Sequence, residues 1–140
     1  MNKTMYYFAY GANMSLRSMH SRCPLAIPVR KFSVKNWRLD FGHHATIVHE
    51  PGAVCEGALW TITEHCERSL DVFEGYPDYY DKLFLEQDGV RFMAYEMVDL
   101  DPRDIPSEGY IQLLREGYRD WNLNEDLLDQ ALDFDLEWNS

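Results

Sequence analysis

Along the chain, hydrophobic and polar positions follow two different periods. The first clear signal is Met5-Tyr6-Tyr7-Phe8-Ala9-Tyr10, six apolar or aromatic residues with no charge among them. Such a run suits a short strand buried on both faces better than an amphipathic helix. The pattern then stops. Gly11 permits backbone angles closed to other residues, Asn13 tolerates left-handed angles and Ser15 can cap a helix, so a sharp turn through residues 11–14 into a short helix over 15–20 is expected. That helix ends at Arg22-Cys23-Pro24, because proline disfavours helical angles in the residue before it. β-rich pieces follow at 29–34, 37–41, 45–48 and 54–62, separated by Gly42 and by Pro51-Gly52. Within the last piece, Gly57 marks a bulge or a close backbone approach.

Thr63 then caps a helix over 64–74, where Cys66, Leu70 and Phe73 fall on one face. Gly75 is its natural C-cap and Pro77 blocks continuation. Strands over 80–87 and 90–98 flank Asp88-Gly89, the pair most diagnostic of a type I′ hairpin. After a polar loop over 99–106, Ser107 caps a helix reaching about Trp121 and Asn124 caps a last one reaching about Asp135, with Tyr118, Trp121, Leu127, Leu128 and Leu132 as packing residues. The order suits a single α+β domain over residues 1–140, with a sheet able to curl into a barrel.

Composition narrows the class. A chain of 140 residues with 14% aromatics is large enough for one core. No apolar run approaches the roughly 20 residues needed to span a bilayer, so no membrane association is expected and the location is read as cytoplasmic. Cys23, Cys55 and Cys66 are odd in number and lack Cys-x-x-Cys spacing, which indicates neither a disulfide framework nor a zinc ribbon. His43, His44 and His49 with Cys55 fit no standard zinc pattern, so no metal site is expected. The net charge of −11 is uneven: residues 1–70 carry +3 and residues 71–140 carry −14. An acidic half repels phosphate backbones and argues against nucleic-acid binding; solvated helical faces account for it, while a basic partner is also conceivable.

Two places carry candidate chemistry. A strand end turning through residues 11–14 exposes backbone N–H groups suited to an anion or a developing oxyanion, although an ordinary strand-to-helix connection uses the same residues. Glu74 breaks a local rule. It sits at the negative end of a helix dipole with Asp71 one turn back, and burial beside Phe73, Tyr76 and Tyr80 would raise its pKa further into the range of a general acid or base. A surface glutamate beside a helix-ending glycine is the plainer account.

Taken together, Tyr7-Phe8-Ala9-Tyr10-Gly11-Ala12-Asn13-Met14, Leu39-Asp40-Phe41-Gly42, Ala45-Thr46-Ile47, Val54 through Gly57 to Trp60, Leu70-Asp71-x-x-Glu74-Gly75, Tyr80, Tyr95 and Pro106-Ser107-x-x-Tyr110 with Gly117 resemble the γ-glutamylcyclotransferase family, including its AIG2-like branch. The resemblance runs from about residue 6 to residue 123. It implies a small mixed β-barrel with flanking helices, and conversion of a small γ-glutamyl compound into 5-oxoproline and a free amine or amino acid without metal or cofactor. It implies further that Glu74 is the catalytic acid/base, that Tyr10, Gly11, Ala12, Asn13 and Met14 cradle substrate, and that Tyr80, Tyr95 and Tyr110 line the pocket. Ala12 stands where the family usually has serine, so a hydroxyl contact is lost while backbone donors survive. Two uses follow: an enzyme acting on γ-glutamyl amino acids or amines, or a catalytically weak module that binds partners through its acidic C-terminal half. Neither the leaving amine nor the oligomeric state is legible.

Overall fold

The first strand, β1 (Thr4–Ala9), lies at the centre of the sheet in a computed structural model that describes residues 3–101 and 103–139, with side chains as far as residue 132. Pro102 of the expected polar loop lies outside the described residues. Tyr7, Phe8 and Ala9 are buried on both faces, as an uncharged run requires, whereas Tyr6 nearer the strand start is exposed. A 3₁₀ turn (Ala12–Met14) leads into α1 (Leu16–Arg22), whose cap is Ser15: its Oγ accepts from the Ser18 amide at 3.2 Å.

The β-rich middle is more continuous than its sequence suggests. β2 (Ile27–Phe41) and β3 (Ala45–Thr63) form one long antiparallel pair, irregular near Lys35–Trp37, where Asn36 takes a positive φ, and bent where Gly52 does so opposite. The Gly52 amide donates to Asn36 Oδ1 at 3.0 Å, so Pro51-Gly52 bends the ladder without ending it. α2 (Glu64–Glu74) follows, capped by Thr63 Oγ1 and ended by Gly75 in the left-handed region. β4 (Tyr80–Gln87) and β5 (Val90–Met97) make the expected hairpin, with positive φ at both Asp88 and Gly89 as a type I′ turn demands. α3 (Glu108–Asp120), capped by Ser107, and α4 (Glu125–Asn139) complete the chain.

The strand order is β2-β3-β1-β5-β4, antiparallel except for the β1–β5 pair, so the architecture is mixed α+β. The sheet does not close, and "barrel" holds only loosely. A side chain spans the gap instead of a ladder: Gln87 at the end of β4 accepts from the Lys35 amide at 2.7 Å and donates to the Ser33 carbonyl at 2.5 Å on β2. Inside the curl, Phe8, Phe32 and Phe92 pack with centroids 5.5–6.2 Å apart. Gly57 makes that packing possible by close approach, since a Cβ there would stand 2.4 Å from the Ala9 carbonyl oxygen and 2.8 Å from the Phe8 ring.

Three expectations need correction. Cys23 and Cys66, 43 positions apart in sequence, are disulfide-bonded with Cα atoms 5.3 Å apart, although their spacing resembled no framework. The bond joins the end of α1 to α2, a proximity made by tertiary packing alone. Phe73 is 48% exposed because it faces a cleft beneath the Arg22 guanidinium, leaving Cys66 and Leu70 as the buried members of the α2 stripe. In α4, Leu128 is buried while Leu127 is 38% exposed.

Candidate active site

The cleft begins with the turn after β1. One bond within the turn and two contacts from α3 and its C-cap hold it. The Met14 amide donates to the Gly11 carbonyl at 3.0 Å, Trp121 Nε1 donates to the Met14 carbonyl at 2.7 Å, and α3 packs so closely that a Cβ at Gly117 would meet Met14 Cβ at 2.8 Å. The start of α1 is tied to the acidic face of α3: Ser15 Oγ bonds Glu116, and the Leu16 amide donates to Asp120 Oδ2 at 2.9 Å, anions placed at a helix N-terminus where its dipole favours them. Part of the acidity of the second half therefore has a structural use.

A cleft of about 370 Å³ opens between this turn, the end of α2 and the face of α3. That size accommodates a small metabolite. Tyr10, Gly11, Ala12, Asn13, Glu74, Tyr80, Tyr95 and Tyr110 all line it, so eight of the nine residues nominated from sequence meet in one place. Met14 does not. It is fully buried beneath the turn, and its amide is already spent on Gly11. Among the described residues no protein acceptor is recorded for the amides of Gly11, Ala12 and Asn13. Gly11 has an ordinary negative φ; glycine serves here by admitting the Tyr110 hydroxyl, which a Cβ would meet at 3.2 Å.

Asn13 adopts no left-handed angle and contributes through its side chain. Its Nδ2 donates to Tyr7 Oη at 3.0 Å and to Glu74 Oε1 at 3.1 Å, while its Oδ1 accepts from Arg22 Nη1 at 2.8 Å. Every polar atom of this buried amide is thereby used, which makes Asn13 a positioning residue for Glu74. Glu74 is half-buried as a residue, but its carboxyl group sits where loss of water outweighs other influences, and its pKa is pushed up to about 7. Arg22 and the Asn13 hydrogen bond oppose that rise. Asp71, expected to repel Glu74, faces elsewhere: its Oδ1 accepts from Tyr95 Oη at 2.6 Å and its Oδ2 pairs with Lys82 Nζ at 3.0 Å.

The tyrosines divide by where their protons go. Tyr10 donates to the Tyr95 carbonyl at 2.5 Å, Tyr80 to the Ala45 carbonyl at 2.5 Å and Tyr95 to Asp71. Tyr7 and Tyr110 are acceptors, from Asn13 and from the Ala45 amide at 3.0 Å, so their own hydroxyl protons stay uncommitted in those bonds. Burial raises the pKa of both, which keeps them protonated donors.

Sequence reasoning missed Tyr7, Arg22, His44 and Phe73 as cleft residues. Tyr7 could have been found from strand alternation, since it lies two and four residues before Ala9 and Gly11, and Gly11 lines the cleft. Arg22 had no local signal; it enters because α1 packs beside α2, with its guanidinium 3.6 Å above the Phe73 ring centroid. His44 sits at the rim, its Nδ1 2.7 Å from Tyr79 Oη, and burial lowers its pKa so that it is neutral near pH 7. His43 pairs with Asp104 at 3.3 Å and His49 packs on Trp37; among the described residues no group of three His, Cys, Asp or Glu is arranged to hold a metal. No helix among the described residues is long and apolar enough to cross a membrane.

Known proteins resemble this chain in sequence and in fold. The family model described as gamma-glutamyl cyclotransferase, AIG2-like, matches residues 7–112. Gamma-glutamylcyclotransferase of Mus musculus is 27% identical over 110 residues, covering 70% of this chain and 51% of its own length. That of Homo sapiens is 31% identical over 85 residues, covering 52% and 45%. The chain spans about half the length of the curated relatives it matches. A solved gamma-glutamyl cyclotransferase superimposes with a TM-score of 0.81 at 24% identity, covering 92% of this chain and 86% of that one. An AIG2-like protein from Mus musculus gives 0.59 at 22% identity, covering 71% and 80%. These two likenesses establish the fold. With a family model matched from β1 into α3, the chain belongs to the gamma-glutamyl cyclotransferase, AIG2-like family.

Proposed function

We propose that this chain converts a small γ-glutamyl compound into 5-oxoproline and a free amine or amino acid. The observation that supports this most directly is a carboxyl with a pKa of about 7, Glu74, held by Asn13 in the same cleft as the turn after β1. In the proposed reaction the substrate's α-amine attacks its own γ-carbonyl and closes a five-membered ring, so no enzyme nucleophile is needed. A C–N bond forms in the ring and the γ-amide C–N bond breaks. The attacking ammonium nitrogen sheds two protons in becoming the ring amide, and the departing nitrogen gains two in leaving as an ammonium. One carboxyl that accepts and returns protons serves both nitrogens and ends in its starting form.

The amides of Gly11, Ala12 and Asn13 would serve the substrate carboxylate or the tetrahedral oxyanion, where one such donor contributes roughly 3 to 4 kcal/mol. Tyr110, beside Gly11, adds a protonated hydroxyl. Ala12 offers no side-chain contact. The uncharged rim of His44, Tyr79 and Leu113 suits a leaving amine as well as a leaving amino acid. Incubation with a panel of γ-glutamyl amino acids and amines, followed for 5-oxoproline, tests the reading. Glu74→Gln is expected to keep the fold and lose most turnover; release near the wild-type rate would refute the role.

A further inference from the structure

Two opposite charges in the cleft are spaced by a single amide group. Arg22 Nη1 reaches the Oδ1 end of Asn13 at 2.8 Å, and Glu74 Oε1 meets the Nδ2 end at 3.1 Å. Arg22 and Glu74 act on each other through space, without a hydrogen bond between them. The guanidinium is further fixed by the Phe73 face, 3.6 Å below it, and spends one of its five donors on Asn13. Stacking and one anchoring bond leave the planar fork pre-organised for a carboxylate, the ligand geometry that arginine matches in two parallel bonds. Among the described residues that line the cleft, Arg22 is also the only lysine or arginine.

An α-amino acid head has the complementary layout: a carboxylate and an ammonium on one carbon. We propose that Arg22 and Glu74, held side by side by Asn13, form a recognition site for the zwitterionic α-amino acid head of the substrate, with Arg22 receiving the α-carboxylate. The inference rests on the cyclotransferase reading above and deepens it. With the carboxylate on Arg22, the ammonium lies against Glu74, which must deprotonate it. The amides of residues 11–13 are then left for the oxyanion.

The test compares a γ-glutamyl amide bearing a free α-carboxylate with the same compound converted to the α-carboxamide, by turnover and by calorimetric binding. The carboxamide keeps the attacking amine and can still cyclise. Wild-type protein is expected to prefer the carboxylate by about 10- to 100-fold, the range for a hydrogen bond to a charged group. Arg22→Met should bring the two compounds near parity, chiefly through KM, and Arg22→Lys should restore part of the preference. Equal loss on both compounds in Arg22→Met, or an unchanged preference, would overturn the assignment, as would parity in the wild type. Binding that discriminates without turnover would sink the cyclotransferase reading and keep Arg22 in its role; turnover without discrimination would do the reverse.

Discussion

At the scale of single residues, the chemistry of this protein is concentrated on one carboxyl and the amide that holds it. Glu74 has a folded pKa of about 7 against an ordinary 4.5, so the folded state holds its proton more tightly than the unfolded chain does. Stability contributed by that proton is fully present below the unfolded value and is lost as pH rises through about 7. Glu74→Gln, which cannot ionise, should therefore be more stable than wild type above that window and indistinguishable from it at the acid end, as thermal melts across pH would show. Activity should run the opposite way: if Glu74 is the base, kcat/KM rises with pH to a plateau beyond about 7. Replacing Asn13 by leucine removes a hydrogen bond that favours the ionised carboxyl. The acid limb of the pH–rate profile should then move to higher pH, whereas a purely structural role would lower the plateau without moving the limb.

At the scale of elements, two helices bring the cleft together. α1 supplies Arg22 at its last residue, and α2 supplies Phe73 and Glu74 at its end. The Cys23–Cys66 bond ties them one residue beyond Arg22. A cross-link closing a loop of this length removes denatured-state entropy worth about 4 kcal/mol at most in the chain-entropy model. Reduction, or Cys23→Ser with Cys66→Ala, should lower the melting temperature and loosen the Arg22–Phe73 stack. Thiol titration before and after reduction reads the bond directly, and an unchanged melting temperature on complete reduction would contradict a stabilising tether. The ends of α2 behave differently. Asp71 and Glu74 both oppose the helix dipole, but Asp71 is neutralised by Lys82 and bonded by Tyr95, while Glu74 is turned into the cleft.

At the scale of the whole molecule, an open five-stranded sheet is curled around a phenylalanine cluster and bridged by one side chain. Gln87 does for β2 and β4 what a ladder would do in a closed barrel, satisfying the Lys35 amide and the Ser33 carbonyl. Gln87→Ala should cost about 2 kcal/mol of stability, the net worth of two typical hydrogen bonds. It should also speed hydrogen exchange at the Lys35 amide more than at its ladder-bonded neighbours, and uniform exchange across β2 would show that Gln87 carries nothing special. Curling matters for the cleft because it brings Ala45, at the start of β3, between Tyr80 and Tyr110, whose hydroxyls take its carbonyl and its amide.

Local signals in the chain determined the elements and two halves of the site. An uncharged run gave β1, Asp88-Gly89 the hairpin, capping hydroxyls at Ser15, Thr63 and Ser107 the helix starts, and an acid at a helix C-terminus the candidate Glu74. Each depends on residues a few positions apart, where backbone sterics and hydrogen-bond demand act directly. Tertiary structure alone decided that Asn13 holds Glu74 while Asp71 turns away, that Cys23 and Cys66 bond, that Met14 is buried, and that Arg22 faces the cleft. Those outcomes join residues 43 to 61 positions apart, or depend on which face packs against a partner, and sequence spacing carries no record of either.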